Sequence, residues 1–277
     1  MRTMPVGKAM ISVINVGDFM WNLAEKFNLP ESEWRPHHAV FFERSQFFPT
    51  QSIHIALPGA SVIVDPSDHE LAPGFLAAVP EYRQPPPLIA QLAEKGVHPE
   101  DITHVVITHA HFDHYASITR EQDGQYIPSF PNARCFLGLA DWEDPKIQEA
   151  LQEPGSNESR TLGVLRQRGL LELIEGNCDL IPSVQIIATP GETPGHQIVR
   201  VHLHGQTLYC LGDLFHHQVE FEHPGWMVHW KDKDTNLKSR FALMEAALAE
   251  DALLVAAHIP IGCLERTASG FRWMPLS

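Results

Sequence analysis

Apolar residues alternate with small or polar ones along several short stretches of the chain, which is the pattern of β-strands with one buried face. The first stretch is AMISVINVG at 9–17, and a hairpin is predicted where QSIHIAL at 51–57 and ASVIVD at 60–65 flank a Pro-Gly turn. More continuous apolar runs predict further strands, at 101–109, 134–139, 183–191, 197–205, 206–213 and 252–260.

Apolar residues spaced three and four apart predict helices between these strands. The segment PLIAQLAEKG at 87–96 ends in a glycine, and LKSRFALMEAALAE at 237–250 is a longer amphipathic helix. A short helix is predicted over 113–120 because it begins with an aspartate, a good N-cap residue. Residues 139–175 are predicted to be mainly helical. Strands and helices in both halves favour a layered α/β sandwich built from two similar halves.

Residues 18–50 fit no single period and are dense in aromatic side chains. We interpret them as an extension that packs over another part of the molecule, within one structural domain that covers 1–277. The extension suits either a lid or a dimerisation arm, and a homodimer is the expected assembly.

The composition narrows the classes of function. With 44% hydrophobic and 19% charged residues the chain is globular, and its net charge of -14 argues against nucleic acid or an anionic membrane as a partner. The first twenty residues lack the apolar core of a signal peptide, and no run approaches the roughly 18 apolar residues of a membrane span. The expected location is therefore the cytoplasm. The four cysteines form no C-x-x-C motif and are expected to be small buried hydrophobes.

The sequence THAHFDH at 108–114 concentrates three histidines and an aspartate at the end of a predicted buried strand. Side chains two residues apart on an extended or looped backbone can turn toward one point, and neutral imidazoles with a carboxylate suit zinc, manganese, iron or cobalt. The nearby His104 lies inside the strand and is interpreted as structural.

Three other predicted strands carry a candidate ligand at one end. His196 follows a turn rich in proline and glycine, Asp213 follows an apolar strand, and His258 ends another. Because the ends of adjacent strands open on the same rim of a sheet, these side chains are expected to meet the THAHFDH cluster.

With these motifs in order, THAHFDH, TPGH, LGD and AAHIP, the chain resembles the metallo-β-lactamase superfamily from about residue 50 to 262. The resemblance implies a four-layer αββα sandwich with a dinuclear metal site on one edge. It implies that His109, His111 and His196 hold the first metal, that Asp113, His114 and His258 hold the second, and that Asp213 bridges the two. Zinc is the first choice for both ions, with manganese, iron and cobalt left open.

The reaction implied by such a site is metal-assisted hydrolysis. A water shared by two divalent ions about 3.5–4 Å apart loses a proton near neutral pH and becomes the nucleophile. In the family, Asp113 lies beside that hydroxide and accepts a proton during turnover. An aspartate at the bridging position accompanies lactonases, thioester hydrolases, phosphodiesterases and organophosphate hydrolases rather than true β-lactamases, and His111 argues for hydrolysis over redox chemistry.

The region after Asp213 and the closing AAHIPIGCLERTASGFRWMP resemble the methyl parathion hydrolase and quorum-quenching lactonase branch. Some lactonases of that branch hold the substrate carbonyl with a tyrosine, which has no clear counterpart here; His216 is the candidate replacement. Phe48 and Trp226 are candidates for an apolar wall.

The preferred substrate is a small neutral ester or lactone, with an N-acyl homoserine lactone as one candidate. An organophosphate triester, a thioester as in glyoxalase II, and a phosphodiester remain alternatives. A thioester or a phosphodiester substrate would require a cationic patch near the metals, which the sequence does not display.

Overall fold

Strand β4 (Ala60–Val64) shows how alternation along the chain builds the layers of the fold. Val62 and Val64 belong to the apolar core between two sheets, whereas Ile63 belongs to a second core on the other side of its sheet. The computed structural model describes residues 1–67, 82–268 and 270–276, and all structural statements refer to these.

Most of the described strands form two seven-stranded sheets. The first has the order β1-β2-β3-β4-β5-β8-β9, with β1 (Arg2–Val6), β2 (Ala9–Trp21), β3 (Gln46–Leu57), β4, β5 (His104–Val106), β8 (Arg134–Gly138) and β9 (Leu171–Ile174). The second follows chain order, with β10 (Cys178–Ile181), β11 (Val184–Ala188), β12 (Gln197–Leu203), β13 (Gln206–Cys210), β14 (Leu253–Val255), β15 (Gly262–Thr267) and β16 (Gly270–Pro275). A small hairpin, β6 (Thr119–Gln122) and β7 (Gln125–Pro128), stands apart.

Helices lie on the outer faces of the sheets, and two more form within the N-terminal segment 18–50. They are α1 (Leu23–Phe27), α2 (Glu31–Phe42), α3 (Leu88–Ala93), α4 (Leu139–Trp142), α5 (Pro145–Gln152), α6 (Asn157–Arg160), α7 (Leu162–Gln167), α8 (Val219–Glu222) and α9 (Lys233–Ala249), with 3-10 turns at Pro99–Asp101 and Phe112–His114. Among the described helices, none has the length and apolar character needed to cross a membrane.

Three apolar cores hold the layers together. The central core joins the inner faces of the sheets, for example Val106 with Val199. An outer core packs α3 and α7 on the first sheet, and another packs α9 on the second. This order of layers is the predicted αββα sandwich.

The structure confirms the predicted hairpin of β3 with β4, and the adjacent predicted strands β12 and β13 also pair, across the turn at Gly205. The prediction of a helix over 113–120 is wrong, because one 3-10 turn at Phe112–His114 is followed by β6. That turn buries the His114 side chain among carboxylates, which the N-cap signal of Asp113 alone does not reveal. The helical prediction for 139–175 holds only in pieces, since four short helices are followed by β9.

The aromatic segment 18–50 is continuous with the first sheet at both ends. Asp18 to Trp21 pair with Gln46 to Pro49, and the chain between them forms α1 and α2. Its apolar side chains pack into a fourth core with Val219 and Val228 of the same chain. We call this segment the arm.

Candidate metal centre

Four strand ends converge on one edge of the sandwich. His109 lies three residues beyond β5, His196 directly before β12, Asp213 three residues beyond β13, and His258 three residues beyond β14. The pairing explains the convergence, because β13 runs parallel to β14 and antiparallel to β12. A bond from the Gln197 backbone N–H to the Thr108 carbonyl (2.9 Å) joins the loops of the two sheets.

The Asp213 carboxylate lies between histidines from both predicted ligand groups. Its Oδ2 is 3.8 Å from His109 Nε2 and 3.4 Å from His114 Nε2, and its Oδ1 is 3.3 Å from His258 Nε2. On one side, His109 Nε2 is 2.9 Å from His111 Nδ1. His196 completes that side, with its Nε2 3.3 Å from the Asp213 backbone nitrogen.

The other side of Asp213 contains the second predicted group. Asp113 Oδ2 lies 3.6 Å from His114 Nε2 and 4.0 Å from His258 Nε2. Ligand atoms of these three residues lie within 4.8 Å of one another, as do those of His109, His111 and Asp213. The structure thus brings all seven predicted ligands to one place.

Hydrogen bonds from Nδ1 orient three of the histidines. His114 Nδ1 donates to Asp65 Oδ2 (2.9 Å), His258 Nδ1 to the Pro49 carbonyl (2.7 Å), and His196 Nδ1 to the Thr189 carbonyl (3.1 Å). A donating Nδ1 directs the Nε2 lone pair of a neutral ring toward the centre, which is how metal-binding histidines are held.

Two of the inward-facing atoms, His114 Nε2 and Asp213 Oδ1, are buried with no hydrogen-bond partner among the described residues. Buried polar atoms without partners are costly and therefore uncommon. Nitrogen and carboxylate donors that converge in this way are a chemically suitable set for divalent cations, so the residues present fit a metal pair.

The pKa shifts of the buried side chains also indicate that the centre favours positive charge. Burial disfavours charge on His114, but the carboxylates of Asp213, Asp113 and Asp65 outweigh burial and raise its pKa well above the ordinary value. Burial also disfavours charge on Asp213, yet His258, His114 and His216 hold its pKa well below the usual range. Burial lowers the pKa of His196 to about 3, so that ring is neutral, the form that binds metals.

Sequence reasoning missed Asp65, which follows β4. Its Oδ1 accepts from the Thr108 backbone N–H (2.7 Å), and its Oδ2 accepts from Thr108 Oγ1 (2.8 Å) and His114. Asp65 could have been identified from its position directly after an apolar strand, which is how Asp213 was identified. That strand, β4, runs parallel to β5.

A buried ion pair was also missed. Lys231 Nζ lies 3.1 Å from Glu192 Oε2 and donates to the backbone carbonyl of Asp213 (2.7 Å). Burial raises the pKa of Glu192, but Lys231 and His216 outweigh burial and lower it. The other Glu192 oxygen accepts from Trp230 Nε1 (2.7 Å) and lies 3.5 Å from His111 Nδ1. The pair fixes the backbone of Asp213 and places a carboxylate beside the first ligand group.

Asp141 connects the loop of His111 to the loop of His196. It accepts from the backbone N–H of Ala110 (2.8 Å) and Gly195 (2.6 Å), and from Thr193 Oγ1 (2.8 Å). The packing is so close that a Cβ at position 195 would lie 2.5 Å from the Asp141 nitrogen. Nothing in the local pattern of α4 marked this aspartate.

Aromatic rings from the arm cover the centre. Phe19 and Trp21 lie beside His258, with ring centroids 5.2 and 6.0 Å away, and the predicted Phe48 stacks behind Phe19 at 6.0 Å. The predicted Trp226 packs farther out, against His223 and Phe42, whereas Trp21 and Trp230 both lie beside His216.

His216, the predicted replacement for the substrate tyrosine, has its Nε2 3.1 Å from Asp213 Oδ2. It therefore faces the carboxylate between the two ligand groups. All four tyrosine hydroxyls bond elsewhere, to Val16, Glu158, Arg160 and Glu250.

A cavity of about 490 Å³ opens beside the first ligand group. His111 and Glu192 form its inner end, and Ile147, Pro194 and Trp230 supply apolar walls. Lys146 contributes a cation to its lining. Its size is that of a small-molecule site.

The model of the metallo-β-lactamase superfamily matches residues 46–239. The chain belongs to this superfamily. Three of the four motifs that converge at the centre, THAHFDH, TPGH and LGD, lie within the matched residues, whereas AAHIP at 256–260 lies beyond them. The solved structures similar to this chain share its fold.

Among characterised relatives, an N-acyl homoserine lactonase from a Bacillus species is 25% identical over 186 residues, and one from Bacillus cereus is 25% identical over 185. Each match covers 65% of this chain and 65% of the relative, so the chain matches somewhat less than two thirds of these lactonases.

Two solved structures match nearly the whole fold. The dizinc quorum-quenching lactonase AidC, in complex with its product N-hexanoyl-L-homoserine, has a TM-score of 0.79 at 20% identity, covering 100% of this chain and 97% of its own. A probable metal-dependent hydrolase from Staphylococcus aureus has a TM-score of 0.79 at 21% identity, with 99% of each chain covered.

Proposed function

We propose that this superfamily member is a dinuclear metal hydrolase of small neutral lactones, with N-acyl homoserine lactones as the preferred class. The observation that carries the proposal is the position of Asp213 between two histidine groups. Within the described part of the chain, Asp213 Oδ1 and His114 Nε2 are also buried without a hydrogen-bond partner. The two Bacillus relatives and the AidC structure named above are lactonases, which supports this choice of substrate.

In this proposal His109, His111 and His196 would hold one divalent ion, Asp113, His114 and His258 would hold the other, and Asp213 lies between the two groups. Zinc is the preferred metal because the AidC lactonase is dizinc. When bound, such ions lower the pKa of a coordinated water and polarise the substrate carbonyl.

The chain's own residues orient the substrate and move the proton. The cavity walls at Ile147, Pro194 and Trp230 accept an apolar acyl chain. Water adds to the lactone carbonyl carbon and the ring C–O bond breaks, which gives an alcohol and a carboxylic acid that releases its proton to solvent as a carboxylate. Asp113, whose side chain is 28% exposed, accepts the proton of the attacking water and returns it to the leaving oxygen.

The rings of Phe19, Trp21 and His216 exclude bulk water from the other side of the centre. This apolar cover favours a neutral substrate, since a strongly anionic one would lose its hydration without gaining several cations. Lys146 is the one cationic residue among those that line the described cavity.

A substrate panel tests this function. Zinc-reconstituted protein is assayed with N-acyl homoserine lactones, aryl esters, a thioester, a phosphodiester and a phosphotriester, and we expect the highest kcat/KM for the lactones. A higher kcat/KM for the thioester or either phosphate ester would assign one of the alternatives instead. The cytoplasmic location and the homodimer stay predictions from the sequence.

A further inference from the structure

A second group of metal-ligating side chains lies outside the centre at Asp213. It consists of His38, Glu222 and His223, each of which offers a ligand atom within 4.8 Å of the others. His38 Nε2 and His223 Nε2 are 2.8 Å apart, and their rings are nearly perpendicular at 84°.

Two elements distant in sequence bring these side chains together. His38 lies in α2, at a kink where its backbone leaves the helical region (φ -127°, ψ 15°) two residues after Pro36. Glu222 is the last residue of α8, and His223 follows it. The group therefore bridges the arm and the segment that leads away from Asp213.

Packing fixes the histidine rings independently of their contact with each other. His223 stacks on Trp226 with ring centroids 4.0 Å apart and planes 16° apart, and His38 meets the same indole edge-on at 5.3 Å. Their mutual orientation is thus largely set before any ligand binds, which lowers the entropic cost of binding.

These three ligand atoms are typical of a site for a transition metal rather than for calcium or magnesium. Two imidazole nitrogens and one carboxylate oxygen are the protein ligands of many three-residue zinc sites, with a fourth position left for water. Two nitrogens on a tetrahedral zinc are about 3.4 Å apart, so the two rings need to separate by only about half an ångström. Burial, reinforced by neighbouring histidines, lowers the pKa of both His38 and His223 and favours their neutral form.

We propose that His38, Glu222 and His223 form a third metal site, for zinc or a similar divalent transition ion, that joins the arm to the end of α8. Glu222 is exposed and both histidines are half-buried, so this site is more accessible than the centre at Asp213. It binds its ion more weakly and exchanges it faster.

The proposed site is connected to the cover of the catalytic centre. His217 packs edge-on against Phe41 of α2 (4.7 Å) and against Phe48 (5.8 Å), and its neighbour His216 contacts Asp213. An ion bound between α2 and α8 is expected to stabilise the packing of His217 against Phe41. Zinc at the third site is therefore expected to raise Tm beyond the value of the two-metal protein.

Zinc binding by the two-metal protein tests the proposal. The holoprotein is dialysed to equilibrium against increasing free zinc, and bound zinc is measured by elemental analysis. We expect one additional zinc per chain, bound about tenfold or more weakly after His38→Gln or Glu222→Gln. His37→Gln is the matched control because it removes an exposed histidine one residue away and is expected to leave the third zinc in place.

Anomalous diffraction from a zinc-soaked crystal gives the location, with a peak expected between His38 and His223. Absence of a third zinc, a peak elsewhere, or equal loss in all three variants would overturn the proposal and leave a hydrogen-bonded histidine pair. Glu222→Gln alters an exposed side chain, so it keeps the test valid if His38→Gln misfolds. None of the three variants changes a residue of the centre at Asp213, so zinc bound there cancels in the comparison with the wild type and the outcome is independent of the proposed function.

Discussion

Asp213 is the residue on which the proposed centre depends most, because its two carboxylate oxygens face histidines of both ligand groups. Its side chain is almost fully buried, and its backbone carbonyl accepts from Lys231. The residue therefore links the metal ligands to a fixed piece of backbone.

Replacing Asp213 with Ala should remove at least one metal per chain and lower kcat/KM for lactones by roughly a hundredfold or more, since loss of outer partners alone costs 10- to 100-fold. Elemental analysis and steady-state kinetics measure both effects. Asp234→Ala, an exposed position in α9, is the control and should behave as wild type. Two metals and full activity in Asp213→Ala would show that the ligand assignment is wrong.

Asp65 acts through His114 rather than on the substrate. In Asp65→Asn the side chain keeps its shape, but one accepting oxygen becomes an NH2 group that only donates, so the three bonds from Thr108 and His114 cannot all be kept and the orientation of His114 loosens. We expect a 10- to 100-fold weaker affinity for one of the two metals, measured by competition with a chelator, while the other metal is retained. Unchanged affinities would mean that Asp65 serves the fold alone.

At the scale of elements, the short loop after β13 positions Asp213 through an unusual backbone. Gly212 has φ +51°, and a Cβ there would lie 2.4 Å from Thr108 Oγ1. The loops that follow β5 and β13 are therefore in contact at a position where only glycine fits.

Gly212→Ala should lower the free energy of unfolding by about 2 kcal/mol or more and weaken metal binding, because it adds a steric clash to backbone strain. Gly205→Ala is the matched control, since Gly205 also has positive φ (+75°) but no atom within 4 Å of the added Cβ. It should cost only about 1 kcal/mol and leave metal content unchanged. Chemical denaturation compares the two, and equal losses would contradict the argument from close packing.

Alternation, apolar runs and strand-end position were sufficient to predict nine strands of the two sheets and the convergence of the seven candidate ligands, but not β1, β9, β10, β15 and β16. These signals were insufficient where contacts between residues far apart in sequence determine the local structure. The 3-10 turn at Phe112–His114 replaced a predicted helix, and Lys231 and Asp141 act through backbone carbonyls and amides far along the chain. No local pattern encodes such partners, and Trp21 was not distinguished from its aromatic neighbours for the same reason.

At the scale of the whole molecule, folding keeps several histidines neutral in buried positions. Burial, with a contribution from His38, lowers the pKa of His217 to about 4, although Glu220 opposes the shift. Since the unfolded value is near 6.5, the unfolded chain binds a proton between pH 6.5 and 4 that the folded chain does not. The stability due to neutral His217 is complete above pH 6.5 and is lost as the pH falls toward 4.

His217→Gln should therefore make unfolding of the metal-free protein less sensitive to acid. Between pH 7 and 4 the wild type is expected to lose up to about 3 kcal/mol more of its free energy of unfolding than the variant. Urea denaturation at several pH values measures the difference. Parallel pH profiles for the two proteins would contradict the role assigned to burial of His217.

The central claim is that the two ligand groups around Asp213 hold two metal ions that together support lactone hydrolysis. The most direct measurement is the rate of N-hexanoyl homoserine lactone hydrolysis as zinc is returned stepwise to metal-free protein. We expect no hydrolysis without metal and a rate that rises until two zinc ions per chain are bound. Hydrolysis by the metal-free protein, a plateau at one zinc, or no hydrolysis at any zinc content would contradict it.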